Sequence, residues 1–337
     1  MTGYERIRAA LEGCQPDRVP VMLHNFMLAA HEAGYSMAEF RNDPRIIAQS
    51  FINAIEVYRY DGILVDIDTV TLAGAVGVPV DFPENQPARS HQGCLDSIEQ
   101  VHSLPPVDVG GYKYIQIWLE AVRLLKDYFK DEIYIRGNCD QAPFSLASMM
   151  RTPAEWYKDL ILHEEPARRL LEYCTTASCQ FIDLMAQTGA DMLSNGDSPA
   201  GTDLISPEMY SSFALPYEQR LVDRTHAHKL AYALHICGNT SPMLEQLPGT
   251  GADAFELDYK TDADAACRIF IEKATFIGNI DPVGILVRGT LAEVAGATAK
   301  LIAQFQGNPR FILNAGCAIP ADAPSENIHE MIRVARR

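Results

Sequence analysis

The sequence predicts an α/β fold: a single (β/α)8 TIM barrel with a short N-terminal helical extension. Short, nearly continuous apolar runs alternate along the chain with longer segments of helical periodicity. This is the pattern of buried parallel strands that are covered by helices. Polar residues follow nearly every run, as expected where the carboxyl ends of barrel strands meet at one mouth. We therefore expect residues 1–337 to form one barrel domain, with residues 1–17 as the helical extension.

Eight apolar runs are the predicted strands. In chain order they are Val19–Leu23, Gly62–Asp66, Glu132–Arg136, Asp191–Ser194, Leu230–His235, Ala252–Leu257, Ala274–Gly278 and Arg310–Asn314. An open, doubly wound sheet is the alternative arrangement. It usually has fewer strands, and no glycine-rich fingerprint follows the first run here.

Five segments between or after the runs carry helix signals. Pro44–Tyr58 has apolar residues at helical spacing, and Thr290 and Glu293 form a capping box that opens a helix to about Phe305. Two further segments begin with proline at the first helical position, and the last segment ends in basic residues that suit a helix C-terminus. These three are Pro153–Cys174, Pro207–His228 and Pro324–Arg336.

The composition argues against several classes of protein. Apolar residues make up 47% of the chain, which is too many for disorder, and the formal net charge of −16 argues against a nucleic-acid partner. The N-terminus has no apolar signal core, and no stretch of about 18 apolar residues occurs, so we expect a cytoplasmic protein without a membrane segment. The eight cysteines follow no disulfide framework, and we expect mostly reduced thiols.

Polar side chains at the ends of the predicted strands are the candidate substrate-binding residues. In a barrel these ends converge on the mouth that holds the active site. Turn chemistry alone explains any single polar residue after a strand, so it is the ring as a whole that indicates function. The candidates are His24, Asn25, Asp66, Asp68, Asn138, Gln141, Asn195, Asp197, Glu256 and Asn279.

His235 and Cys237 end the fifth strand, Cys317 follows the eighth, and together they are the predicted ligands of a catalytic zinc. Residues i and i+2 of a strand point to the same side, so this imidazole and thiolate can meet one ion. Zinc favours such sulfur and nitrogen donors, and three protein ligands leave a fourth position open. A carboxylate of the sixth strand is the candidate fourth ligand, and we prefer Asp258 to Glu256 because it lies nearer the mouth. The alternatives are that His235 is a structural histidine of the core and that Cys237 and Cys317 are buried thiols that only pack.

Over nearly its whole length the sequence resembles the uroporphyrinogen decarboxylase superfamily. Within it, the sequence is similar to the methylcobalamin:coenzyme M methyltransferases and their corrinoid methyltransferase relatives. The resemblance rests on several stretches together, since none is specific alone. They are Asp17–Val21, Ala142–Ala147, Leu204–Pro207, Leu215–Tyr217, Leu234–Asn239, Gly251–Asp253, Gly278–Pro282, Gly316-Cys317 and Pro324–Ile328.

This resemblance has consequences for the site. The methyltransferase branch has a His-x-Cys…Cys zinc site, which corresponds to His235, Cys237 and Cys317. Asp258 matches by position the zinc carboxylate of cobalamin-independent methionine synthase. The decarboxylase branch carries an arginine-rich segment after the first strand, whereas His24–His31 contains no arginine. A tetrapyrrole with eight carboxylates needs such cations, so the segment argues against porphyrinogen decarboxylation.

The resemblance implies a zinc-dependent methyltransferase that moves a methyl group between a corrinoid and a zinc-activated thiol, with the three zinc ligands as catalytic residues. The cofactors are then Zn²⁺ and a corrinoid, either free methylcobalamin or a corrinoid on a separate binding protein, since the chain has no corrinoid domain of its own. The partners are that corrinoid protein and a small methyl donor or thiol acceptor.

Two other functions stay open. In the first, zinc acts as a Lewis acid on an O-, N- or S-methyl donor whose methyl group passes to a corrinoid protein. An aromatic-lined pocket would favour that direction and a small polar pocket would favour the thiol; the candidate linings are Phe26, Trp118, Phe144 and Tyr232. In the second, the chain is a non-catalytic zinc-binding protein, which would need no ring of Asn and Asp residues around the ion.

Overall fold

The computed structural model describes all 337 residues and has the predicted barrel. All eight strands are parallel, lie in chain order in one sheet and overlap the eight predicted runs. They are β1 (Met22–Leu23), β2 (Gly62–Val65), β3 (Tyr134–Gln141), β4 (Met192–Gly196), β5 (Ala231–Ile236), β6 (Ala254–Leu257), β7 (Thr275–Ile280) and β8 (Phe311–Ala315). Val21 pairs with Leu313 of β8, whose N–H donates to Pro20 O at 2.9 Å. The sheet therefore closes on itself, which excludes the open doubly wound arrangement.

Fourteen α-helices accompany the strands, and most form the outer ring of the barrel. They are α1 (Gly3–Glu12), α2 (Phe26–Glu32), α3 (Met37–Asn42), α4 (Pro44–Tyr58), α5 (Thr71–Ala75), α6 (Lys113–Phe129), α7 (Pro143–Arg151), α8 (Pro153–Leu162), α9 (Glu164–Ala186), α10 (Pro207–Phe213), α11 (Leu215–Ala227), α12 (Ala263–Phe270), α13 (Leu291–Gln304) and α14 (Ser325–Ala335). The predicted Pro44 start and Thr290–Glu293 capping box are both confirmed. No helix combines the length and hydropathy that a bilayer crossing requires.

Two helices that the sequence predicts as continuous are each broken in the structure. Pro153–Cys174 is divided at His163 into α8 and α9, and Pro207–His228 is divided at Ala214 into α10 and α11. In each case a proline, Pro166 or Pro216, follows the break by two or three residues. Proline lacks the N–H that a continuous helix needs, and its ring clashes with the carbonyl four residues earlier. It fits the first turn of a new helix, where no partner is missing.

The N-terminal extension closes the bottom of the barrel. Ile7 and Ala10 of α1 are fully buried, and they belong to a cluster of nine buried residues that includes Met22 of β1 and Met192 of β4. Thr275 Oγ1 of β7 donates to Ala10 O at 3.0 Å, which fastens the helix to the strand. With this end filled, the carboxyl ends of the strands form the open mouth.

Candidate metal centre

One imidazole and two thiols meet at the barrel mouth. His235 is the fifth residue of β5, Cys237 follows the end of that strand, and Cys317 lies two residues after β8. His235 Nε2 is 3.0 Å from Cys237 Sγ and 3.9 Å from Cys317 Sγ, and the two sulfurs are 3.1 Å apart. The period-two geometry of β5 thus brings His235 and Cys237 together as the sequence predicts, and closure of the barrel brings Cys317 to them.

The donors of this cluster match the preferences of zinc. Bond lengths of about 2.3 Å to sulfur and about 2.0–2.1 Å to nitrogen in a tetrahedron place ligand atoms about 3.5–3.8 Å apart. The observed separations of 3.0, 3.1 and 3.9 Å lie on either side of this range, so small side-chain movements satisfy it. It is the one group of three or more His, Cys, Asp or Glu side chains in the protein whose ligand atoms are close enough to share an ion.

The ring of His235 is oriented from below by Glu256 of β6. His235 Nδ1 lies 3.1 Å from the Glu256 carbonyl oxygen and 3.6 Å from its Oε1. Because a carbonyl oxygen only accepts, Nδ1 carries the proton and donates it, which leaves the lone pair of Nε2 directed at the sulfurs. Such a contact fixes the tautomer that a metal ligand needs.

Glu256 is the centre of a buried charge network. Its carboxylate accepts from Arg136 and lies 3.1 Å from His24 Nδ1, while His24 Nε2 is 2.8 Å from Asp66 Oδ2. Burial opposes protonation of His24, but the hydrogen bonds to the two carboxylates outweigh it and raise the pKa of His24 to about 10. Burial also opposes ionisation of Glu256, yet the positive charges around it hold its pKa well below the usual range.

The two thiols differ in how readily they ionise. The hydrogen bond from Cys317 lowers the pKa of Cys237, while the same bond, together with burial, raises the pKa of Cys317. The Cys237 N–H donates to Ser198 Oγ at 3.1 Å, which fixes the backbone beside the sulfur. Cys237 is therefore the thiol that ionises first, and a thiolate is the form that binds metals.

Asp258, the predicted fourth ligand, does not join the cluster in this structure. Its Oδ1 accepts from the Lys260 N–H at 2.9 Å, and its carboxylate is not among the atoms that lie within 4.8 Å of one another at the site. The negative charge of Asp258 is still close enough to oppose ionisation of Cys237. As a ligand, Asp258 stays a prediction from the sequence.

A cavity of about 260 Å³ opens above the cluster at the mouth. Half of the ten predicted substrate-binding residues line it together with the three cluster residues. These five are His24, Asp66, Asp68, Asn138 and Gln141. The structure thus brings them to one space, on the ends of β1, β2 and β3.

The other five predicted residues lie outside this cavity and have structural partners. Asn25 contacts the Tyr60 hydroxyl, Asn195 donates to the carbonyls of Cys139 and Gln141, and Asp197 accepts from Ser145. Glu256 lies under the cluster, and Asn279 donates to the carbonyls of Asp258 and Thr261. The prediction that these five contact substrate is not supported by their positions.

Sequence reasoning missed several residues of the cavity. Arg136, Asp140 and Ser198 all line it, whereas Phe26, which also lines it, is one of the four candidate aromatic linings. A signal for Arg136 was present, because a lone arginine within an apolar strand must find a buried partner. Asp140 lies at a register shift between Asn138 and Gln141 of β3, and no pattern in the sequence predicts that shift.

Comparisons with known proteins match nearly the whole chain. The model of the family described as uroporphyrinogen decarboxylase (URO-D) matches residues 2–337. The chain is 34% identical over 345 residues to the methylcobamide:CoM methyltransferase MtbA of Methanosarcina acetivorans, covering 100% of this chain and 99% of that protein. It is 23% identical to a uroporphyrinogen decarboxylase of Pelobacter propionicus, covering 98% of both chains.

A solved structure has the same fold. It is described as a methyltransferase from Methanosarcina mazei, and it superposes with a TM-score of 0.90 at 21% identity, covering 99% of this chain and 98% of that one. At this identity the likeness concerns the barrel and its connections rather than the chemistry at the mouth.

Proposed function

Since this chain belongs to the uroporphyrinogen decarboxylase family, we propose that it is a zinc-dependent methyltransferase that moves a methyl group between a corrinoid and a thiol. The observation that carries the proposal is the cluster of one imidazole nitrogen and two cysteine sulfurs at the base of the mouth cavity. The relatives named as methylcobamide:CoM methyltransferases support the corrinoid-linked reaction.

In this proposal His235, Cys237 and Cys317 hold the zinc ion. When bound, zinc would supply the positive charge that lets a substrate thiol ionise near neutral pH. Glu256 keeps the Nε2 lone pair of His235 directed at the sulfurs, and Ser198 fixes the backbone at Cys237. His235 and Cys237 thus each have a hydrogen bond that limits the movement of the ligand.

The size of the cavity defines what enters it. At about 260 Å³ it is smaller than the pockets of about 300–1,000 Å³ that enclose drug-sized ligands. A small thiol fits inside, whereas a corrinoid has to present its methyl group from outside the mouth. We therefore propose that the corrinoid arrives on a separate binding protein or as free methylcobalamin.

The lining favours a thiol over the demethylation of an aromatic methyl ether. Phe26 is the one aromatic ring other than histidine in the lining. Trp118, Phe144 and Tyr232 are fully buried behind the barrel wall, where Trp118 donates to Val65 O. Porphyrinogen decarboxylation fits the lining poorly too, because Arg136 is its one arginine, no lysine lines it, and Arg136 is paired with Glu256.

The proposal is tested by metal analysis of purified variants. We expect wild-type protein to hold about one zinc per chain, and the His235→Ala and Cys237→Ser variants to lose at least tenfold in zinc affinity. Cys14→Ser is the matched control, because Cys14 is exposed and far from the cluster. Wild-type zinc content in both site variants would remove the proposed function.

The activity test follows the cobalt absorbance of methylcobalamin when a thiol is added. Demethylation should require zinc-loaded protein and should be lost in the His235→Ala variant but kept in Cys14→Ser. If none of the thiols tested lets the zinc-loaded protein demethylate methylcobalamin, the result would favour the reverse direction, from a methyl donor to the corrinoid. That direction is then measured with cob(I)alamin as the acceptor.

A further inference from the structure

Three carboxyl groups form one wall of the mouth cavity. Asp66 and Asp68 come from the end of β2 and Asp140 from β3, whereas the metal cluster is contributed by β5 and the segment after β8. The three residues are at most 2% exposed. Carboxylates so deeply buried require partners, because an unpaired charge in a low-dielectric site is costly.

Two of these carboxyl groups have both oxygens occupied by the protein. Asp66 Oδ2 is bound by His24, and its Oδ1 accepts from Asn138 Nδ2 at 3.1 Å. Asp140 Oδ2 accepts from the Leu72 N–H at 2.6 Å, and its Oδ1 accepts from Gln141 Nε2 at 3.2 Å. Neither group has an oxygen left for a strong contact with substrate.

Asp68 differs because its two oxygens are used unequally. Oδ1 accepts three hydrogen bonds of 2.9 Å, from the Val70 N–H, the Thr71 N–H and the Thr71 hydroxyl. No donor of the protein reaches Oδ2, although the residue is only 1% exposed and lines the cavity. One oxygen therefore holds the carboxylate in place while the other is free to bind a ligand.

The positive charges that line the cavity are already committed elsewhere, and Arg41, which lies outside the lining but close enough to interact with Asp68, donates to the carbonyls of Pro83 and Gln86. His24 lies between Asp66 and Glu256, and the guanidinium of Arg136 donates to Glu256. No lysine lines the cavity. Burial is the main cause that raises the pKa of Asp68, to about 6, and that of Asp140, and repulsion between the carboxylates adds to it. A bound cation would relieve this repulsion, and a bound anion would increase it.

We propose that the small substrate of this site carries a positively charged nitrogen that binds Oδ2 of Asp68, and that an anionic tail such as a sulfonate is disfavoured. This inference rests on the proposed function, since it assigns the unreactive end of the same substrate. An ammonium group has two sources, an aminothiol that accepts the methyl group or a methylated amine that donates it. Both present the same charge to Asp68.

The first experiment measures binding without a thiol, so that it is independent of methyl transfer. The full-length zinc-loaded protein is titrated by calorimetry or ligand-observed NMR with ethylammonium, trimethylammonium, ethanol and ethanesulfonate. We expect the better of the two ammonium probes to bind at least tenfold more tightly than ethanesulfonate. Tightest binding of ethanesulfonate, by way of the unpaired Nε of Arg136, would overturn the inference.

The second experiment compares three thiols of equal length against methylcobalamin: 2-aminoethanethiol, 2-mercaptoethanol and 2-mercaptoethanesulfonate. If the ammonium group belongs to an acceptor, kcat/KM should be highest for the aminothiol. If it belongs to a donor, trimethylammonium should instead transfer one methyl group to cob(I)alamin and leave as dimethylamine. Methyl transfer to the sulfonate with the highest kcat/KM would leave the proposed function intact and reject the inference. Ammonium binding without methyl transfer in either direction would reject the proposed function and leave the inference about Asp68 intact.

The Asp68→Asn variant tests the assigned residue. Its amide oxygen keeps the acceptor for Val70 and Thr71, so the loop should stay folded, while the negative charge is lost. We expect the preference for ammonium over sulfonate probes to fall at least tenfold. Asp96→Asn, an exposed carboxylate outside the cavity, is the matched control and should keep the wild-type preference. An unchanged preference in Asp68→Asn would overturn the assignment of Asp68 as the binding residue. The order in which the wild-type protein binds the ammonium and sulfonate probes tests the inference without any variant.

Discussion

The sulfur of Cys317 lies 3.1 Å from the sulfur of Cys237, although 80 residues separate them in the chain. Three barrel strands, β6, β7 and β8, lie between the two cysteines in the chain, so only the closed barrel brings the thiols together. Because the two sulfurs are so close, they can either bind one metal ion together or be oxidised to a disulfide.

We expect the metal-free protein to form a Cys237–Cys317 disulfide under a mild oxidant such as diamide. The lowered pKa of Cys237 provides a thiolate next to the second sulfur, and thiolates are the reactive species in this chemistry. Peptide mapping by mass spectrometry should find the cross-link, and zinc should protect against it. The six other cysteines serve as internal controls, and a cross-link of equal yield with zinc present would contradict the shared metal site.

Glu256→Gln should destabilise the protein strongly. The change leaves Arg136 with a neutral partner, and breaking a buried ion pair from one side costs about 3–5 kcal/mol. Both side chains are at most 1% exposed. The measurement is the urea dependence of unfolding, followed by circular dichroism.

The control for that experiment is Glu120→Gln, which makes the same substitution in an ion pair with Arg123. That pair is 40–49% exposed, and exposed pairs contribute only about 0–1 kcal/mol. A loss for Glu256→Gln no larger than that of Glu120→Gln would show that the buried network does not stabilise the fold.

Much of the fold could be predicted because the strand signal is local. Each barrel strand is buried on both faces and therefore reads as a continuous apolar run, as in Ile63–Val65 of β2 or Phe311–Leu313 of β8. The helix breaks could have been predicted as well, since Pro166 and Pro216 cannot lie in the interior of a helix. What the local pattern lacks is the register of β3, which depends on its neighbours.

The candidate site could be predicted in part, and the period of a strand explains which part. Met22 and Met192 belong to the cluster inside the barrel, so His24, two residues after Met22, points inward to the cavity. Asn25 and Asn195 lie an odd number of residues from these positions and point outward. Counting parity from the first inward residue would have excluded both from the substrate-binding set. The unpaired oxygen of Asp68, by contrast, depends on a loop hydrogen-bond pattern that spacing does not encode.

Ile7→Ala should destabilise the protein by about 2–5 kcal/mol, the usual cost of truncating a fully buried isoleucine. Ile7 is part of the plug at the bottom of the barrel. Because this plug lies at the opposite end from the mouth, kcat for methyl transfer should not change at temperatures where the variant is folded. Val57→Ala, which truncates a half-exposed side chain on α4, is the control. A variant that keeps its stability would show that the extension is not needed to close the barrel.

The contribution of Glu218 and Asp197 to the free energy of unfolding should fall as the pH rises. Both are fully buried, and each has one oxygen, Oε1 of Glu218 and Oδ2 of Asp197, that no other donor reaches. Burial raises the pKa of Asp197 to about 6 and that of Glu218 well above its usual range. Two facing carboxyl groups can satisfy these oxygens only by sharing a proton.

The direction follows from linkage. Groups whose pKa is higher in the folded state bind protons more tightly there, so their contribution is complete below about pH 4 and is lost as the pH rises through 6 and above. We expect Glu218→Gln, whose amide supplies a permanent donor to Asp197, to gain about 1–3 kcal/mol relative to wild type between pH 5 and pH 8. The measurement is the free energy of unfolding at each pH, with the exposed Glu155→Gln as the control. A wild-type and Glu218→Gln difference that stays constant over this range would mean that the pair holds no shared proton.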